Sequence, residues 1–326
     1  MKMNFSLLLL FLSVTAYAQF APQVGQVGTT AIPADSPLFV NWAQTCEAER
    51  GLLDIADSES PQAGAGSAVA ATGASDGTTV SLGDGGTAVL TFDPPIRDGE
   101  GFDFAVFENG FLSPQGDFLE LAFVEVSSNG TDFFRFPAVS LTPDTASIGS
   151  FGILAAAHLH NLAGKYYGGY GTPFDLSDLA ESPDLDTENI TRVRVRDVIG
   201  TADTEFASFD SEGNVVIDPY PTAFPAGGFD LDAVGVLNQA GETAAKDRET
   251  DSHFTVYPNP VRCGEYLTVQ AEGEVIEGLY LWDTAGSLRA KCEGNGLEVE
   301  SLGAGVYLLE IIMKGQVGAV SKVILR

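Results

Sequence analysis

Apolar residues recur along this chain in short runs broken by Gly, Asp and Pro. Thr79 to Leu82 precedes a Gly-Asp-Gly-Gly turn, and Thr87 to Phe92 runs on to Pro94-Pro95, where the spacing predicts a strand end. Phe102 to Phe107 is strongly aromatic. Leu119 to Ser127 stops at Asn129-Gly130, a hairpin-type turn with Phe133 to Phe136 as the returning strand. In Ile190 to Val198, Val193 and Val195 alternate with Arg192, Arg194 and Arg196, which predicts one packed and one charged face. Asp230 to Leu237 is the last strand of this part. Helical signal is thin: Trp42 to Leu53 predicts a short helix, Leu176 to Ala180 a single turn, and the Ala/Gly/Ser-rich residues 59–77 a loop. Many short strands with Gly and Asp turns predict an all-β chain with a jelly-roll-type β-sandwich.

Residues 240–253 are polar with almost nothing to bury, which predicts a linker between residues 19–239 and 254–326. Formal charge changes across it, from −26 over residues 1–253 to −3 beyond. The tail has strand patterns at Leu267 to Gln270, Gly278 to Asp283, Leu297 to Glu300, Val306 to Ile312 and Ala319 to Leu325, enough for a small seven-strand domain. At the other end, Lys2, the apolar run Leu7 to Leu12 and Ala16-Tyr17-Ala18 predict a secretory signal peptide over residues 1–18, with Gln19 as the new N-terminus. The run is too short for a membrane span, and no later stretch has 18 continuous apolar residues.

The net charge of −29 argues against nucleic acid and anionic membrane surfaces as partners. Export permits disulfides. Cys263 and Cys292 lie in the same small tail and are candidates to pair, leaving Cys46 alone; three buried thiols are the alternative.

Ser81-Leu82-Gly83-Asp84-Gly85-Gly86, Gly101-Phe102-Asp103-Phe104-Ala105-Val106-Phe107-Glu108-Asn109-Gly110 and Phe123-Val124-Glu125-Val126-Ser127 resemble blocks of a family of secreted bacterial surface proteins. So do Asn161-Leu162-Ala163-Gly164-Lys165, Gly171-Thr172-Pro173-Phe174-Asp175-Leu176 and Gly228-Phe229-Asp230-Leu231-Asp232-Ala233-Val234. The resemblance implies an extracytoplasmic life and assigns no residue a catalytic role, because the activity of that family is poorly characterised. The tail resembles the C-terminal sorting domain of the type IX secretion system of Bacteroidota. Phe254-Thr255-Val256-Tyr257-Pro258-Asn259-Pro260, Gly305-Val306-Tyr307-Leu308-Leu309-Glu310-Ile311 and Lys322-Val323-Ile324-Leu325-Arg326 carry that likeness. It implies a small β-sandwich that carries its cargo across the outer membrane through the type IX machinery.

Candidate chemistry is mostly acidic. Asp230 and Asp232 alternate on one strand and suit Ca²⁺, with Glu108, Asn109 and Asp210 as further oxygen ligands. A solvated sheet face is the bland alternative. Asp103, among Phe102, Phe104 and Phe107, needs a cation or backbone donors. Asp210 to Asn214 is only loosely like a calcium loop, because Pro221 stands where an EF-hand has Glu. His158 and His160 lack a third zinc ligand nearby. Neither a nucleophile elbow nor a phosphate loop occurs. Tyr166, Tyr167, Tyr170 and Phe174 in a Gly-rich stretch, with Tyr220, Pro221 and Phe224 on the same surface, are candidates to present flat faces to a sugar or a protein; rings covering the open end of the sandwich core are the alternative. Three functions fit: a binding or adhesion module for a glycan or surface protein, an extracellular hydrolase of polysaccharide or protein, and a structural surface layer.

Overall fold

The computed structural model describes residues 20–240, 254–262, 264–271, 275–283, 287–299, 302–313 and 316–326. The fold is all-β. Helical structure among the described residues is confined to short 3-10 turns at Ala68–Ala71, Ala156–His158 and Leu176–Leu179.

Two antiparallel sheets make up the larger part. The first holds β1 (Ile32–Pro33), β2 (Asn41–Trp42), β4 (Val80–Ser81), β6 (Phe104–Glu108), β14 (Tyr170–Phe174) and β16 (Asp230–Val236). Their order is β1-β14-β6-β16-β2, with β4 also pairing β16. The second holds β3 (Thr45–Glu49), β5 (Thr87–Ile96), β9 (Ala122–Ser127), β10 (Phe134–Arg135), β13 (Leu162–Ala163) and β15 (Ile190–Asp197). Their order is β10-β9-β15-β5-β3, with β13 also pairing β9. Two smaller pairs stand apart: β7 (Phe111–Ser113) with β8 (Gly116–Phe118), and β11 (Val139–Ser140) with β12 (Leu159–His160).

One core draws on both sheets, with Phe104, Val106, Leu231 and Val234 from the first and Leu90, Val124, Val193 and Val195 from the second. The alternation in β15 turns Val193 and Val195 inward while its arginines stay half-exposed. On that outer face Arg194 and Arg135 both pair with Glu125, and Arg194 lies over the Phe133 ring, 4.0 Å from its centroid.

Two expectations are corrected. Trp42 to Leu53 is not a helix: it supplies β2 and β3, and β3 pairs with β5 in the register Cys46↔Leu90 and Ala48↔Ala88. Cys46 and Ala48 thereby pack on the core, so tertiary pairing overrides a weak local preference. The strand starting at Thr87 passes through Pro94-Pro95 to Ile96. Its pairing with β15 jumps from Thr91 to Ile96, so the prolines occupy an irregularity where the ladder asks no donor of them.

The tail forms β17 (Phe254–Tyr257), β18 (Tyr266–Ala271) and β21 (Gly296–Glu298) in one sheet. The other sheet is β20 (Leu288–Glu293), β19 (Ile276–Asp283), β22 (Gly305–Met313) and β23 (Gln316–Leu325) in that order. Leu267, Val269, Leu279, Leu281, Leu309 and Val323 build a core that shares no residue with the sandwich core. The expected signal peptide, nearly all of the expected linker, and Cys263 lie outside the described residues, and so does the expected Cys263–Cys292 pairing. Cys292 itself is half-buried on β20. No described helix is long and apolar enough to cross a membrane.

Candidate functional site

Three strands of the sandwich run out of apolar inward positions, and each puts a carboxylate next. In β6, Phe104 and Val106 face the core and Glu108 follows with the same parity; in β15, Val193 and Val195 lead to Asp197. Just ahead of β9, Glu120 shares the parity of Ala122, Val124 and Val126. Asp218 joins from the loop after β15, its Oδ1 accepting from the Leu121 amide at 3.0 Å. All four are buried. Burial holds each carboxyl well above the usual carboxylate range, and neighbouring carboxylates push the same way. Glu108 feels Asp230, Glu120 feels Glu108, and Asp218 feels Glu120 and Asp197.

Backbone donors satisfy only part of this cluster. Asp197 accepts from the Phe229 amide at 2.7 Å and the Gly85 amide at 2.8 Å, one on each oxygen. Gly228 makes this possible: its φ is +72°, and a Cβ there would lie 2.8 Å from Asp197 Oδ1. Glu108 Oε2 accepts from the Gly110 amide at 2.6 Å, whereas its Oε1 is buried with no partner. Glu120 draws no hydrogen-bond donor among the described residues. Ion pairs among those residues involve Glu125 and Asp283, not this cluster.

Beside Glu120 and Asp230 opens a cavity of about 340 Å³. Its wall is a row of phenylalanine rings. Phe111 and Phe118 face each other across the β7–β8 pair and stack at 4.8 Å. Phe151 lies 6.0 Å from Phe118 and 6.0 Å from Phe224. Phe111, Phe151 and Phe224 are 50%, 70% and 42% exposed, so each ring keeps part of its surface open to solvent. Asn109, Ser150 and Thr222 add neutral polar groups to the lining.

The predicted metal residues are only partly brought together. Asn109 Nδ2 donates to Asp230 Oδ2 at 2.9 Å, Ser81 donates to the other oxygen, and Glu108 lies within reach of the Asp230 charge. The charge of Asp232 acts on Glu108 as that of Asp230 does, but its hydrogen bonds lie elsewhere. Pairing with β6 shifts register between Leu231 and Ala233, which breaks the alternation. Asp232 instead accepts from Ser75 Oγ and from the Asp76 and Gly77 amides. Asp210 closes its own turn, accepting from the Ser140, Glu212 and Asn214 amides at 3.0, 2.9 and 2.9 Å. Burial pushes its carboxyl up, but those donors outweigh burial and hold it below the usual range.

The predicted aromatic face is likewise redistributed, and Phe224 alone of its members lines the cavity. Tyr166 is buried, with its hydroxyl 2.9 Å from Thr30 Oγ1. Phe174 is in the core, stacked on Phe104 at 5.3 Å, because β14 pairs with β6 and turns it inward. Tyr167 and Tyr170 are half-buried and meet edge-on at 5.4 Å. The Tyr220 hydroxyl donates to Asp54 at 3.2 Å.

Two other features have local explanations. Asp98, Asp103 and Asp175 place carboxylate oxygens within 4.8 Å of one another. Asp103 is already served by the Gly99 amide, the Leu176 amide and Asn238 Nδ2 at 2.8, 2.7 and 2.9 Å. His160 stacks on Phe20 with ring centroids 4.9 Å apart, and no acidic residue, cysteine or histidine completes a metal cluster with it among the described residues.

Sequence reasoning placed Phe224 with Tyr220 on an aromatic surface but did not single out Glu120, Asp197, Phe111 or Phe151. Asp197 carried a usable signal, the inward parity of the Arg-Val alternation. Phe151 carried none, since a loop sets its position. A comparison with known protein families returned no matching family model, and no curated protein matches the chain.

Proposed function

We propose that this chain is a secreted or cell-surface β-sandwich binding protein that takes a sugar ring of an extracellular glycan into the phenylalanine-walled cavity. One observation carries the reading: the partly exposed rings of Phe111, Phe151 and Phe224 stand beside a lining of Asn109, Ser150, Thr222, Glu120 and Asp230. Aromatic faces pack on the apolar face of a sugar, while amide, hydroxyl and carboxylate groups bond its hydroxyls. The strand order β14-β6-β16-β4 opposite β9-β15-β5, with connections that cross between sheets, supports a jelly-roll topology. Export rests on the signal-peptide pattern and on the likeness of residues 254–326 to a type IX sorting domain, with that machinery as partner.

Binding of the full chain to a glycan array tests the reading. A bound glycan should lose at least about tenfold in affinity, roughly 1.4 kcal/mol, with Phe151→Ala or Phe111→Ala. An array with no bound glycan, or binding untouched by either variant, rejects it. Deleting residues 254–326 should hold the protein in the periplasm; undiminished secretion rejects the sorting role.

A second reading, a glycan hydrolase, is favoured by the presence of Glu120 and Asp230 in one cavity, both raised by burial above the usual carboxylate range. Release of reducing ends from the bound glycan, abolished by Glu120→Gln, would replace capture with catalysis.

A further inference from the structure

We propose that the sugar entering the phenylalanine-walled cavity carries a free, protonated amine, as an unacetylated amino sugar does, and that Glu120 receives the ammonium. The inference rests on the sugar reading and adds to it the charge of the ligand. It starts from the deep end of the cavity. Glu120 is 6% exposed and Asp230 7%, far less than the rings of Phe111, Phe151 and Phe224, so the rings stand at the mouth and the carboxylates form the floor. Glu120 draws no hydrogen-bond donor among the described residues, yet it lines a volume of about 340 Å³. A carboxylate more than nine-tenths buried and unpaired needs a donor or a counter-charge, and the cavity is where one can arrive.

The rest of the lining has few donors to give. Ser150 Oγ donates to the Pro221 carbonyl at 2.6 Å. Asn109 Nδ2 donates to Asp230 Oδ2 at 2.9 Å, and Ser81 Oγ serves the other Asp230 oxygen. Among the described residues, the lining holds no lysine, arginine or histidine. Arg50, whose charge is felt at Asp230, donates to the carbonyls of Ala65, Gly66 and Ser81. The cavity is therefore rich in acceptors and asks its ligand for donors. An ammonium brings three donors and no acceptor, whereas a hydroxyl brings one donor and two lone pairs that find few partners here.

Electrostatics select the same group. Burial, and after it the charges of Glu108, Asp230 and Asp197, raise the Glu120 carboxyl well above the usual range. Ionising it costs free energy that a cation beside it offsets and a neutral hydroxyl does not. The rings act in the same direction, because an aromatic face is electron-rich and attracts ammonium groups. Phe111 stacks on Phe118 at 4.8 Å, and Phe151 lies 6.0 Å from both Phe118 and Phe224, so each ring neighbours the next along the wall. Such a wall suits a flat sugar ring that bears the amine better than the slender stem of a lysine. A uronate or sulfate would face Glu120 and Asp230 with no cation to meet it.

The test is calorimetric titration of the full chain, at one ionic strength and neutral pH, with tetrasaccharides of glucosamine, glucose and galacturonic acid and with a lysine tetrapeptide. The glucosamine probe should bind at least about tenfold tighter than the glucose probe, which has a hydroxyl in place of the amine. Neither galacturonic acid nor the peptide should match it. Glu120→Gln keeps the shape of the side chain and removes its charge, and should bring the glucosamine-to-glucose ratio down to about twofold. Equal affinity of the parent for glucosamine and glucose overturns the proposal, whether or not the variant folds, and leaves the sugar reading standing. A glucosamine preference that survives Glu120→Gln overturns it, as does a lysine peptide or galacturonic acid bound as tightly as glucosamine. Binding of no probe overturns it too, and the glycan array then decides the sugar reading separately.

Discussion

Asp103 and Glu108 bracket β6, five residues apart, and both are buried carboxylates, yet the fold treats them differently. Asp103 sits where a turn, a 3-10 start and the segment after β16 meet, and it receives the Gly99 and Leu176 amides and Asn238 Nδ2. Glu108 receives the Gly110 amide on Oε2, and its Oε1 is buried without a partner. At one end of the strand a carboxylate serves as a knot for loose backbone donors; at the other, several carboxylates gather with too few donors. The first arrangement is complete within the chain, whereas the second leaves Glu108 Oε1 without a partner.

The largest expected effect concerns the complete end. Asp103→Ala leaves three donors without their acceptor and should cost about 3 to 5 kcal/mol in urea unfolding, whereas Glu108→Gln in EDTA should be neutral or stabilising. Equal losses at the two positions would erase the contrast. The next effect is pH dependence. Burial pushes Asp103 up to about 7 and Asp84 up to about 6, both from 3.8. A carboxyl raised in the folded state binds protons more tightly there than in the unfolded chain. Its contribution is therefore full below 3.8 and lost as pH rises through about 6 to 7. In EDTA, the urea midpoint should rise from pH 8 to pH 5, by on the order of a few kcal/mol in stability. Asp210, held below its ordinary value, works with the opposite sign, and its contribution disappears only in stronger acid. A midpoint that falls between pH 8 and pH 5 would show that the buried acids do not behave as placed. The smallest effect sharpens the contrast between wall and floor. Phe151→Ala, at a ring 70% exposed, should change stability by no more than about 0.5 kcal/mol while weakening glycan capture. A large loss of stability would make Phe151 a packing residue.

Residue order alone settles the all-β class, because short runs with period-two alternation and Gly/Asp turns leave few other folds. It determined the faces of β15 through the Arg-Val alternation, and the β9–β10 hairpin through Asn129-Gly130. It also pointed to Glu108, Asn109 and Asp230 as neighbours in chemistry. Tertiary structure decided the rest. Trp42 to Glu49 became strands because β5 and β16 each offered an edge to pair with. Asp232 took its donors from Ser75, Asp76 and Gly77, beside a shift in the β16–β6 register that sequence spacing does not show. Phe174 went inward because β14 pairs with β6, Tyr166 packed on Ala31 and Ala156, and Glu120, Asp197 and Asp218 came to act on one another from segments far apart in sequence. Alternation along one strand is a local property of the backbone and can be read from residues. Which strands end together, and which carboxylates then share one buried volume, depends on long-range pairing that no local pattern encodes.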